Sequence, residues 1–136
     1  MHRLFLYSGI FIGGGIFGWF VDTGYRSVIA GYYTPGTLIP FFSLIFATAA
    51  VVLYAFFRVS WVSFRQSIIL GTIFAISLEL VCGFVSDKFF HFRLWDYSNA
   101  PYNFHGYIDL LHSIYWLILT GLYRFFSRAL AQQGIV

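Results

Sequence analysis

Three ionisable side chains mark the place where this chain could do chemistry. Glu79 lies inside an apolar run from Gln66 to Ser86, and Asp109 and His112 lie close together in a later apolar run. A charged group within an apolar membrane segment is costly and is by default a functional site. Asp109 and His112 are three positions apart, so a helix would place both on one face. An imidazole and two carboxylates are therefore the centre of the predicted site.

Two other interpretations of these three residues stay open. They could ligate a metal ion in the interior of a helix bundle. No tight ligand spacing such as H-E-x-x-H is present, and intramembrane carboxylates pair with Arg, Lys or His more often than with ions. We therefore predict no metal site and leave the cofactor undefined. Glu79 could also be a structural residue, neutral or held by Arg26, Arg93 or His112.

The composition predicts a membrane protein. Of 136 residues, 60% are hydrophobic and only 10% are charged, against about 25% charged in soluble proteins. The net charge of +3 comes from basic residues scattered singly at the ends of apolar runs, so we predict no nucleic-acid partner. The single cysteine, Cys82, cannot form an intrachain disulfide. We expect one integral membrane domain over residues 1–136, with the lipid bilayer as its surroundings.

Hydropathy predicts an all-α polytopic fold with four transmembrane helices and a structured outer loop between the third and the fourth. Each span is close to the roughly 20 residues that a hydrocarbon core about 30 Å thick requires. Pro35-Gly36 is a turn signal, and Pro40 would then lie in the first turn of the second helix. The N-terminal run lacks an A-x-A cleavage site, so we predict a retained helix rather than a signal peptide. The predicted spans are 4–21, 37–57, 66–86 and 107–126.

The distribution of Lys and Arg predicts the orientation. Five arginines lie on the side that holds both termini and three basic residues lie on the other, so we predict that both termini are cytoplasmic. We expect the membrane to be a bacterial inner membrane. Trp61 and Trp95 suit the interfacial belts at the inner and the outer boundary. The loops 22–36 and 87–106 would face outward, and Glu79 would lie roughly 10 Å below the outer surface. The two basic groups are Arg3, Arg58, Arg65, Arg124 and Arg128, against Arg26, Lys88 and Arg93.

The outer loop and the helices beside it carry recognisable motifs. These are Gly18-Trp19 with Asp22 and Tyr25; Glu79 with Gly83, Asp87 and Phe90; and Trp95-Asp96-Tyr97-Ser98 with Asn103, Gly106, Ser113 and Trp116. In these motifs, which cover residues 18–116, the chain resembles the small membrane proteins called putative ABC-transporter type IV, or CmpB-like.

The resemblance implies a multi-pass, transport-related protein with a site, but it supplies no substrate. Asp22 and Asp87 stand where the family has Glu. Tyr33-Thr34-Pro35-Gly36 departs from the family's Arg-Gly and Gly-Pro ahead of the second helix. The chain also has no Walker-type phosphate loop, so it cannot drive ATP-powered transport alone.

The loop between the third and fourth helices would close over the acidic residues and form an outward-facing polar pocket. Aromatic walls with a few convergent polar groups are typical of ligand sites. Taken singly, the aromatic residues could instead form an interfacial belt, with Asp96 capping a turn and Asn103 bonding the local backbone. The predicted ligand-binding residues are Asp22, Arg26, Glu79, Trp95, Asp96, Tyr97, Asn103, Asp109 and His112.

Glycine spacing in the first helix predicts close helix packing. Gly9 and Gly13, and again Gly14 and Gly18, are small-x-x-x-small pairs that let two helices approach closely. The second helix could belong to this chain or to a partner, so we expect a homo-oligomer or a subunit of a membrane complex without choosing between them.

Three functions compete on these observations. In the first, the protein is a transport-related or ligand-binding component in which Glu79 and Asp109 bind a cation or cationic group and His112 adjusts the charge. In the second, it is a non-catalytic accessory or scaffold subunit. In the third, it is an intramembrane enzyme acting on a lipid headgroup, with His112 as a base oriented by Asp109. The third ranks last because no Ser or Cys nucleophile lies in a recognisable motif, so we predict that the protein is not an enzyme.

Overall fold

Four α-helices follow one another in the computed structural model, which describes residues 2–58 and 62–132. Over those residues there is no strand, only two isolated bridges. The prediction of an all-α fold with four helices is confirmed. The helices are α1 His2–Ala30, α2 Leu44–Phe57, α3 Phe64–Phe89 and α4 Leu110–Gln132.

Two of the helices, α1 over Arg3–Ala30 and α3 over Phe64–Phe89, are long and apolar enough to cross a membrane. With 14 residues, α2 is about 21 Å long and falls short of a hydrocarbon core about 30 Å thick. Although α4 has 23 residues, it is not one of the helices that are apolar enough to be candidate membrane spans. The protein thus has two candidate membrane spans among its described residues.

The first helix continues well beyond its predicted end at residue 21. It runs through Asp22 and Arg26 to Ala30, so neither residue lies in a loop. Hydropathy marks only where apolar residues stop, whereas a helix continues until the backbone is interrupted. The interruption is Gly31, whose φ of 76° is left-handed and whose N–H donates to the Ser27 carbonyl at 2.9 Å.

The second helix begins seven residues later than predicted, at Leu44 rather than at residue 37. Pro40 therefore precedes the helix and does not lie in its first turn. The physical reason is local: Phe41 has a φ of 64°, and proline disfavours helical geometry in the residue before it. Ser43 then becomes the residue before the helix, and its carbonyl accepts from the Ala47 N–H at 3.0 Å.

The third and fourth helices also differ from their predicted bounds. A capping box formed by Ser63 and Gln66 starts α3 at Phe64, and α3 runs past residue 86 to Phe89. Asp87 is therefore helical and not part of the outer loop. The fourth helix begins at Leu110 instead of 107 and continues to Gln132 instead of 126. The predicted interfacial Trp61 lies outside the described residues.

The chain forms two compact units, Met1–Val52 and Leu53–Val136. The prediction of one domain over the whole chain stays a prediction. Within the first unit, α1 packs on the start of α2. A Cβ added at Gly14 would meet the Ala50 Cβ, and one added at Gly18 would meet the Phe46 side chain. Gly14 and Gly18 therefore allow close packing between two helices of the same chain.

The other two glycines of the predicted pattern face open space. A Cβ added at Gly9 or at Gly13 would meet nothing within 4 Å. The two pairs of glycines thus have different surroundings, which their shared spacing does not reveal.

Within the second unit, α3 and α4 pack along a stripe of small residues. These residues recur every three or four positions on α3, so they lie on one face and let the two helices approach closely. Glu79 occupies one position in that stripe, and its side chain is therefore directed into the interface. The buried residues on this face are Ser67, Gly71, Ala75, Glu79, Gly83 and Ser86.

We expect Gly71→Leu to destabilise the packing of α3 on α4. A Cβ at Gly71 would lie 2.9 Å from Leu53 Cδ2 and 2.9 Å from Thr120 Cγ2, and overpacking of a filled interface costs about 1–3 kcal/mol. The matched control is Gly121→Leu, because a Cβ there meets nothing within 4 Å. Thermal unfolding in one detergent measures both variants, and equal loss of stability in the two would contradict the assigned interface.

Candidate functional site

The Glu79 carboxylate lies buried between α3 and α4, with only 6% of the residue exposed. Its Oε2 accepts a hydrogen bond from the Trp116 indole N–H at 2.8 Å, and its Oε1 accepts one from the Tyr97 hydroxyl at 3.0 Å. Trp116 belongs to α4, while Tyr97 belongs to the loop between the two helices. One carboxylate therefore joins three separate segments of the chain.

A second carboxylate, Asp109, organises the start of α4. Its Oδ1 accepts from the backbone N–H of His112 at 2.8 Å, which is the hydrogen bond of a helix N-cap. Its Oδ2 lies 2.6 Å from the His112 Nδ1. Asp109 is 2% exposed, so the pair is held tightly, and the aspartate fixes the plane of the imidazole.

Tyr97 connects these two carboxylates. Its ring stacks on the His112 imidazole with centroids 4.0 Å apart and planes 17° apart, while its hydroxyl donates to Glu79. Glu79, Tyr97, His112 and Asp109 thus form one continuous chain of contacts. A movement of the Tyr97 ring would change the surroundings of both the glutamate and the histidine.

The loop that carries Tyr97 is itself fixed by hydrogen bonds. The Tyr97 N–H donates to the Gly106 carbonyl at 2.9 Å, and the Asn103 Oδ1 accepts from the Gly106 N–H at 3.0 Å. The Asn103 amide also donates to the Ala100 carbonyl at 2.8 Å. Asn103 therefore bonds the local backbone, which is what the alternative, structural interpretation of this residue predicted.

Gly106 permits this loop to fold. Its φ of 74° is left-handed, and a Cβ there would lie 2.7 Å from Asp96 Oδ1 and 2.9 Å from Arg93 Nη1. Only glycine fits without moving a charged pair.

Asp96 is part of an exposed polar network in the same loop. It accepts from the Ser98 hydroxyl and from the Ser98 N–H, the latter at 2.9 Å, and forms an ion pair with Arg93 at 2.9 Å. The Ser98 hydroxyl and the Ser98 backbone N–H, followed by the Arg93 charge, hold the pKa of the Asp96 carboxyl below its usual range. Arg93 reaches Asp87 as well, at 3.4 Å, so these contacts tie the loop to the end of α3.

Trp95 anchors the loop to the segment before α4. Its indole N–H donates to the Tyr107 carbonyl at 2.8 Å. The Tyr107 hydroxyl donates in turn to Asp87 Oδ2 at 2.6 Å. Both rings lie over Gly83, where an added Cβ would come within 3.3 Å of each. The small residue on α3 is what lets the loop lie close to the helix.

The remaining two predicted residues, Asp22 and Arg26, lie on α1 in the first unit. The Ser43 hydroxyl lies 3.5 Å from Asp22 Oδ2. Arg26 follows one turn later on the same helix. Their predicted place in one pocket with Glu79 stays a prediction.

The structure thus brings together four of the predicted residues by direct contact: Glu79, Tyr97, Asp109 and His112. Sequence reasoning did not assign Trp116 to the site. Its position supplied a signal, since it lies seven residues after Asp109 and so on the same face of α4. Among the described residues, no group of three or more His, Cys, Asp or Glu side chains could hold a metal ion.

The chemistry available here is that of a buried carboxyl group with donors from a loop and from a helix. A carboxylate can accept a proton or attract a cation, and the Tyr97 donor belongs to the loop and to neither helix. The His112 side chain is 17% exposed while its Asp109 partner is fully enclosed, so the imidazole is the member of the pair that solvent reaches.

Comparison with known proteins gives one result. A family model described as putative ABC-transporter type IV matches residues 9–135, a range that includes every predicted ligand-binding residue. No curated protein and no solved structure matches the chain. The family resemblance inferred from the motifs is confirmed.

We expect Tyr97→Phe to lower the thermal stability of the second unit. The substitution removes the hydroxyl that donates to Glu79 but keeps the ring that stacks on His112, and loss of a bond to a buried charged group costs about 1–3 kcal/mol. Tyr102→Phe is the matched control, because Tyr102 lies in the same loop and is 84% exposed. The measurement is thermal unfolding of the purified protein in detergent. A Tyr97→Phe variant as stable as the control would show that the hydroxyl does not support the buried carboxylate.

Proposed function

The chain belongs to the family described as putative ABC-transporter type IV, and from that premise we propose that it is a transport-related membrane component that binds a cation or a cationic group at Glu79. The protein carries out no catalytic step in this proposal. Binding would take place at the outward end of α3, beneath the loop that carries Tyr97.

The proposal rests on the fact that the hydrogen-bond donors to Glu79 come from two different segments of the chain. The residue is 6% exposed and lies in a helix long and apolar enough to cross a membrane. Trp116 donates from a neighbouring helix, but Tyr97 donates from a loop. Because Tyr97 lies in a loop, its hydroxyl could leave Glu79 while Trp116 continues to donate, and a ligand would then have access to one carboxylate oxygen.

Asp109 and His112 supply the means of adjusting the charge of this site. The imidazole lies between Asp109, at 2.6 Å, and the Tyr97 ring. A protonated His112 would neutralise Asp109, and a neutral one would leave a second negative charge near Glu79. Cation binding would then be stronger when His112 is neutral.

The topology in this proposal is the one that hydropathy and charge predict. The segment 37–43 with α2 would form the second span and α4 the fourth, both termini would lie in the cytoplasm, and the membrane would be a bacterial inner membrane. The loop with Tyr97 would then face outward, toward a ligand arriving from that side.

The decisive variant is Glu79→Gln, which keeps the size of the side chain and removes its charge. Trp116 donates directly to Glu79, so its fluorescence should report binding. The wild-type protein in detergent would be titrated with sodium, potassium, methylammonium and guanidinium ions, with Trp116→Phe to identify the signal. We expect a saturable change with at least one ion and a loss of at least tenfold in affinity in Glu79→Gln.

Asp87→Asn is the matched control, because it changes an acid to its amide two turns later on α3. Circular dichroism and gel filtration should show that all variants insert and fold. A Glu79→Gln protein that responds like the wild type would remove cation binding at this residue. A wild-type protein that responds to none of the four ions would remove it as well.

A second function is favoured by the open glycine positions on α1. A Cβ at Gly9 or Gly13 meets nothing within 4 Å, so this face could pack closely against another helix. The protein would then be an accessory or scaffold subunit, or a homo-oligomer, whose acidic network holds the loop in place.

The assembly prediction is tested with Gly13→Leu. We expect the wild-type protein in detergent to have a mass above the 15.7 kDa of one chain, and the variant to dissociate because leucine keeps the helices apart. Gly121→Leu is the control, since it makes the same change on α4 at an open position. Light scattering coupled to gel filtration measures the mass. A monomeric wild type, or the same mass in both variants, would contradict an assembly through this face.

A further inference from the structure

A cavity lined by three arginines lies at the end of the second unit away from Glu79. It lies between the end of α2 and the last turns of α4 and has a volume of about 250 Å³. Three arginines line it together with Tyr54, Ser127 and Ala131; the arginines are Arg58, Arg124 and Arg128.

The three guanidinium groups are held in place by neutral partners. Arg58 Nη1 donates to the Tyr54 hydroxyl at 3.0 Å. Arg124 Nε donates to the Ser67 hydroxyl at 2.9 Å. Arg128 lies over the Phe64 ring at 5.5 Å, and Arg124 lies over the same ring at 5.5 Å. A guanidinium has five N–H donors, so these contacts fix the side chains while leaving donors available.

Among the described residues, no carboxylate lies within ion-pair distance of these arginines. In residues 2–58 and 62–132, none of the ion pairs includes Arg58, Arg124 or Arg128. The first acidic residue along α3 after Ser67 is Glu79, and at about 1.5 Å per residue the twelve positions between them span roughly 18 Å. That distance is far beyond the ~4 Å at which an ion pair forms.

Simple explanations account for single arginines but not for the group. A cation after the last turn of a helix is favoured by the helix dipole, which suits Arg58 just beyond α2. The last turn of α4, however, contains no basic residue, and Arg124 and Arg128 are four positions apart, a spacing at which like charges repel. Arginines that only set membrane orientation need not converge on a cavity.

We propose that this cavity binds a phosphate group, carried either by an anionic phospholipid headgroup or by a soluble anion. Arginine forks bind phosphate oxygens through paired, charge-assisted hydrogen bonds. Basic cavities between membrane helices on the cytoplasmic side are places where anionic headgroups bind. The cavity lies at the end of the second unit away from Glu79, so this site is independent of cation binding there.

The experiment measures binding to the full-length protein in detergent with two probes. Phosphatidylglycerol, with phosphatidylcholine as the neutral comparison, is scored by native mass spectrometry, and inorganic phosphate is scored by thermal shift. We expect Arg58→Gln and Arg128→Gln each to weaken binding of the effective probe by about tenfold, the scale of one charge-assisted contact. Arg65→Gln is the matched control, because it removes the same charge beside Phe64 without lining the cavity.

Further variants separate loss of the site from loss of the fold. Arg128→Lys keeps the charge and should restore part of the affinity. Ala131→Glu leaves all three arginines in place and supplies a competing carboxylate at an exposed position, so it should abolish binding while the protein remains folded by circular dichroism.

The two probes also identify the source of the phosphate. Phosphatidylglycerol binding that inorganic phosphate does not displace indicates a lipid headgroup, and binding of inorganic phosphate alone indicates a soluble anion. The proposal is overturned if the wild type binds neither probe, if Arg65→Gln loses as much affinity as Arg58→Gln, or if Ala131→Glu binds as the wild type does.

Discussion

The hydrogen bonds to the Glu79 carboxylate are the constraint on which the second unit depends. A carboxylate buried among apolar helices is costly unless donors replace the water that it has lost. Trp116 from α4 and Tyr97 from the loop supply two of them. Because both donors must reach the same group, this requirement fixes the register of α4 along α3 and the position of the loop above them. A single acidic residue thereby joins three segments, which are also linked by Asp87 to the loop and by Ser67 to Arg124.

That constraint also explains the character of the loop. Gly106, Asn103, Asp96 and Arg93 form a framework of local bonds whose effect is to place the Tyr97 ring between Glu79 and His112. Most of the loop residues are thus structural when taken singly. In the proposed function, these residues position the Tyr97 hydroxyl, which would cover the Glu79 carboxylate and would move away when a ligand binds.

The distribution of charge along the second unit gives it two chemically different ends. Carboxylates and a histidine lie where the loop between α3 and α4 meets the helices, and three arginines line a cavity between the end of α2 and the last turns of α4. From Ser67 to Glu79 the two ends are roughly 18 Å apart along α3, far beyond the ~4 Å at which an ion pair forms. In the two proposals, a cation at one end and a phosphate at the other would therefore each bind without contacting the charges of the opposite end.

The sequence by itself determined the existence of four helices, the membrane class and the closeness of Asp109 to His112, because composition and helical spacing act over short stretches of chain. It did not determine the ends of the helices: Phe41 and Gly31 interrupt the backbone through left-handed φ values that hydropathy does not register. Only the tertiary structure decided which donors reach Glu79, since Trp116 is 37 positions away in the chain. It also decided that Gly14 and Gly18 are enclosed while Gly9 and Gly13 remain open, because identical spacing on one helix cannot say what lies opposite each face.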